Sequence, residues 1–92
     1  MKEIGLADRF HGTCNLVILH LRRAAKSNDL EEGFAAARRM GMLKPEHEQF
    51  VRDCLELDAS VQGGTADADS ITEQAVRELQ ACVLRLNTAD PA

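Results

Sequence analysis

Residues 7–26 carry apolar side chains on two sides of what must be one helix. Phe10, Cys14, Val17, Ile18, Leu21, Ala24 and Ala25 recur at i, i+3, i+4, i+7, the spacing of a core-facing stripe. Leu16 and Leu19 fall outside it. At about 100° per residue, Leu19 lies nearly opposite Phe10, among Asn15, Arg22, Arg23 and Lys26. A helix on the edge of a small one-layer fold has no internal use for leucine there. Either the helix is wrapped on both sides by its own chain, or it carries a second surface for another one.

The chain has 92 residues, the size of one domain. Chains this short bury only about 60–70% of their unfolded surface, so association is a common supplement to the core. The only aromatics are Phe10, Phe34 and Phe50, so the core must be built from Leu, Val, Ala and Met. That scarcity disfavours a base-stacking platform for RNA or single strands.

Three further helices follow from caps and periodicity. The first is expected over 7–26 and ends near Ser27-Asn28-Asp29. Asn28 or Asp29 can cap a second helix over 30–41, with Glu31 or Glu32 as the reciprocal partner and Gly41 as the stop. Its Ala35, Ala36 and Ala37 permit close approach to a neighbour. Pro45 suits the first position of a third helix over 45–61, with stripe residues Phe50, Val51, Cys54, Leu57 and Val61. Residues 62–69 read as a flexible polar loop. Ser70 and Glu73 form a capping box for a fourth helix over 71–86, and 87–92 reads as a disordered tail. No strand signal or internal repeat is present. The expectation is all-α: a single four-helix, bundle-like domain with short connections and antiparallel neighbours.

The charge is uneven. Residues 1–45 carry eight Lys/Arg and five Asp/Glu, a balance of +3; residues 46–92 carry three and ten, a balance of −7. The plainer reading is that the halves face each other and set helix pairing. The alternative is a bipolar surface that steers a charged partner.

Chemistry-bearing motifs are sparse. Cys14, Cys54 and Cys82 fall on three different stripes, with no CxxC pair, and read as buried small hydrophobes. No metal or cofactor is expected. His47 and Asp58 share the apolar side of the third helix, each near an end; Asp58 is expected to meet an Arg from another helix. Asp67 and Asp69 lack the ligand alternation of a calcium loop. No phosphate loop, GxSxG or HExxH occurs, so an enzyme is not expected. Neither a leader pattern nor a membrane-length apolar run is visible, and the odd cysteine count suits a reducing, cytoplasmic setting.

Residues 33–50 resemble a degenerate helix-turn-helix in Ala37, Met40, Gly41 and Phe50, which implies a DNA-binding transcriptional regulator. Two departures stand against it. His47 occupies an expected apolar position, and the recognition helix would open with Glu46, His47, Glu48 and Gln49, placing carboxylates beside phosphates. The preferred reading is a small cytoplasmic regulatory or adaptor protein that acts by protein–protein binding. Inhibitors, anti-activators, antitoxins and secretion chaperones are the types of role this size suits. The expected interface is the ridge Leu16, Leu19 and Arg23, with Met40, Met42 and Leu43 as a second patch, and a homodimer is its simplest form.

Overall fold

A computed structural model describes residues 5–88 of the chain; the last residues of the expected tail lie outside them. Four α-helices are present: α1 (Leu6–Ala25), α2 (Leu30–Arg39), α3 (Pro45–Gln62) and α4 (Glu73–Thr88). A short 3-10 turn, Ala68–Ser70, precedes α4. The all-α, four-helix reading holds, and no strand occurs among the described residues.

Helix ends follow local chemistry. Asp29 caps α2 by accepting the Glu31 N–H at 3.0 Å, and its own N–H donates to Ser27 Oγ at 3.1 Å. The reciprocal position of the expected capping box is thus served by a serine. Helices α1, α2 and α3 each end in a Schellman turn, with Lys26, Gly41 and Gly64 in the left-handed region (φ 53°, 71° and 79°). In α2 the Met42 N–H bonds the Ala37 carbonyl at 2.9 Å and the Gly41 N–H bonds that of Arg38 at 3.2 Å. Helix α2 therefore stops two residues before the expected boundary.

Helix α4 begins later than its sequence suggested. Ser70 lies in the 3-10 turn, and the cap is Thr72, whose Oγ1 accepts the Ala75 N–H at 3.1 Å. The reason is Ile71. It is buried and extended (φ −84°, ψ 129°), so the helix can start only beyond it. Ile71 and Val76 then occupy the two positions of a hydrophobic staple, and both are core residues. At the other end Asn87 and Thr88, assigned to the tail by sequence, continue α4.

Helix α1 is the hub. Its fully buried Phe10, Cys14, Val17 and Leu21 meet Phe34 and Ala37 of α2, Val51 and Cys54 of α3, and Val76, Leu79, Cys82 and Leu86 of α4 in one core. Arg9 and Glu73, each in the first turn of its helix, pair at 3.2 Å, so α1 and α4 run in the same direction. His11 meets Asp58 and Cys14 meets the Cys54 carbonyl, so α3 runs opposite to α1. The short connections bear only on consecutive helices; α3 and α4 are antiparallel, and the non-consecutive α1 and α4 are parallel. At the crossing of α1 with α2, Gly33 makes a close approach beside the buried Ala36 and Ala37. A Cβ there would sit 2.8 Å from Leu21 Cβ and 3.0 Å from the Leu21 carbonyl oxygen.

Candidate functional site

Although α1 packs against all three other helices, its outward side stays open. Leu16 and Leu19 are 48% and 49% exposed. The wrapping that would have made them core residues does not occur. Beside them on α4, Leu84 is 62% exposed. Thr13, Leu16, Gln80, Val83 and Leu84 line a shallow, mainly apolar groove of about 270 Å³ along the α1–α4 seam. Leu84 escaped the sequence reading, yet it carries the same signal as Leu19. It is a leucine off the α4 stripe formed by Leu79, Cys82 and Leu86.

The other expected interface residues separate into two groups. Arg23 is exposed on α1, and Met40, 46% exposed, lies across a small depression from it, together with His20 and Ala24. Met42 and Leu43 are instead core residues, 6% and 4% exposed, and are corrected accordingly. Met42 follows the left-handed Gly41, and the residue at that place in a Schellman turn folds back onto the helix. Leu43 turns inward next to it, just ahead of α3.

Charge follows the plainer reading in part. Arg9–Glu73, Arg38–Glu48 and His11–Asp58 each join a basic group of the first half to an acidic one of the second. Arg52 reverses that order by pairing with Glu31 at 2.6 Å, and its guanidinium lies 4.2 Å from the Phe34 ring centroid. Hydrogen bonds from Arg52 and Arg38 hold the Glu31 and Glu48 carboxyls, respectively, below the ordinary range. Arg22, Arg23, Lys26 and Arg39 have no ion-pair partner among the described residues. Arg22, Arg23 and Arg39 fall in the last turns of α1 and α2, and Lys26 ends α1.

Asp58 meets His11 rather than the expected arginine. Its carboxylate accepts from His11 Nδ1 at 2.9 Å, and His11 Nε2 lies 3.3 Å from the Asn15 amide nitrogen. Both ring nitrogens are thus engaged, the first as donor and the second as acceptor. His47 is met by Arg85, whose Nη1 lies 2.6 Å from Nδ1 and 2.9 Å from Nε2.

The three cysteines are buried and unbonded. Burial, followed by the charge of Asp58 and the neighbouring Cys54, pushes the Cys14 thiol up to about 12; burial, then Cys82 and nearby acids, does the same for Cys54. Burial also raises Cys82. Among the described residues no cluster of three His, Cys, Asp or Glu side chains is arranged to hold a metal ion. No helix there is long and apolar enough to cross a membrane. Asp67 accepts the Asp69 N–H at 3.0 Å and so serves the 3-10 turn.

The chain matches no family profile, no curated protein and no solved structure. The surface chemistry alone therefore carries the functional argument.

Proposed function

We propose that the protein is a small helical binding module, a regulatory or adaptor protein of the inhibitor or chaperone type, that works by covering a surface of another polypeptide. The observation that carries this is the leucine strip Leu16, Leu19 and Leu84. It stays open along the seam of α4 with α1, the helix that otherwise supplies the centre of the core. Each of the three is about half exposed, so completing its burial would contribute roughly half of the about 1.5–3 kcal/mol of a full leucine burial. A contiguous strip of this kind, rimmed by Arg23 and Gln80, is the usual character of a protein contact. Self-association is its simplest form. The helix-turn-helix reading has less support: Arg38, which with Arg39 would have to reach the phosphate backbone, already donates to both Glu48 carboxylate oxygens at 2.8 and 3.0 Å.

The test is site-specific photo-crosslinking in the cells that make the protein. A photoreactive residue placed at Leu19 or Leu84 should yield protein adducts of discrete mass, and one at exposed Glu56 on α3 should not. Equal labelling at Glu56, or none at Leu19, would remove the proposal.

A further inference from the structure

The outward face of α1 is ordered along its length. At about 100° per residue, Asp8, Gly12, Leu16, Leu19 and Arg23 lie on one side of the helix, Lys26 is the left-handed residue that ends it, and all six are exposed. Reading from the N-terminus, the face is acidic, then bare, then apolar, then basic. Asp8 and Lys26 have no ion-pair partner among the described residues.

Such a face complements its own reverse. Asp8 lies about 14 Å before the midpoint between Leu16 and Leu19, and Lys26 about 13 Å beyond it, at 1.5 Å per residue. Gly12 adds a separate observation. In an exposed helix interior glycine costs about 1 kcal/mol relative to alanine. Nothing in the chain requires it, because a Cβ at Gly12 would meet nothing within 4 Å. The bare position makes room for something outside the molecule.

We infer that this face docks a second copy of the chain, α1 against α1, antiparallel about a two-fold axis between Leu16 and Leu19. This rests on the binding role proposed for those leucines. In that register Leu16 meets Leu19 of the partner subunit, the stem of the partner's Arg23 crosses Gly12, and Asp8 approaches the partner's Lys26. Each contact occurs twice. A parallel pairing would set Asp8 on Asp8 and Lys26 on Lys26, and like charges exclude it. Leu84, beside Leu16, extends the apolar centre toward α4.

The experiment is sedimentation equilibrium of the full chain at low salt. Wild type should be a dimer. Asp8→Lys and Lys26→Asp should each weaken it about tenfold or more, since two attractive contacts become repulsive in each homodimer. Mixing the two variants should restore dimers, because both contacts between unlike chains are then attractive. Gly12→Gln should be monomeric, with its helical circular dichroism and melting temperature kept or raised, which separates lost docking from lost folding. A wild type that stays monomeric, or variants that do not recover on mixing, would overturn the antiparallel dimer. A monomeric wild type whose Leu19 still crosslinks a different protein would overturn only the dimer and leave the binding role standing; no crosslink at Leu19 removes both.

Discussion

At position 33 a single hydrogen atom faces Leu21 of α1. A methyl group there would lie 2.8 Å from Leu21 Cβ and 3.0 Å from backbone, so the helices must part to admit it. Alanine would gain about 1 kcal/mol of helix propensity, but overpacking costs about 1–3 kcal/mol. The second effect wins, because backbone cannot swing aside as a flexible side chain can. Gly33→Ala should lose up to about 2 kcal/mol of stability in urea unfolding followed by circular dichroism. This glycine was not readable as special from sequence: it stood beside three alanines that suggested the same close approach. Leu84, by contrast, was missed although its signal was present. It sits off its own stripe as Leu19 does, and the same angular argument finds it.

At the scale of elements, α2 and α3 are tied together by charge as well as by the shared core. Glu48 accepts from both Arg38 and Arg52, and Arg52 bonds Glu31 while lying over Phe34. Because the folded-state Glu31 and Glu48 carboxyls are held below their ordinary range, their contribution is complete above the unfolded value of about 4.3. It is lost as the pH falls through the lowered folded values. Glu48→Gln should cost about 1 kcal/mol at neutral pH and flatten the decline in stability below about pH 4.5, as read by denaturant unfolding at a series of pH values. Helix existence and most boundaries were legible, because caps and stripes are local. What was not legible depends on distant residues. The partner of Asp58 is a histidine on another helix, the burial of Met42 depends on what lies under the turn, and Thr72 replaces Ser70 as cap because Ile71 has a core to enter.

For the whole molecule, one core draws a thiol from each of α1, α3 and α4. With the Cys14 and Cys54 thiols pushed up to about 12, little thiolate exists in the folded protein at neutral pH. A disulfide reagent at pH 8 should therefore label the cysteines only as fast as the fold opens, and immediately in denaturant. Labelling as rapid as that of a free thiol would contradict their burial. The same shift makes the fold sensitive to alkali. Unfolded cysteines lose protons above about 8.5, the folded ones only near 12, so stability is complete below the first value and falls as the pH rises toward the second.

The parallel pairing of α1 with α4 also bears on the order of events during synthesis. Helix α1 is covered on one flank by α4, which is made only after α2 and α3. Until Val76, Leu79, Cys82 and Leu86 have left the ribosome, Phe10, Cys14 and Val17 lack that wall of their core. The nascent chain thus displays apolar surface on both sides of α1 until α4 has been made, and folding must wait for contacts between these two helices.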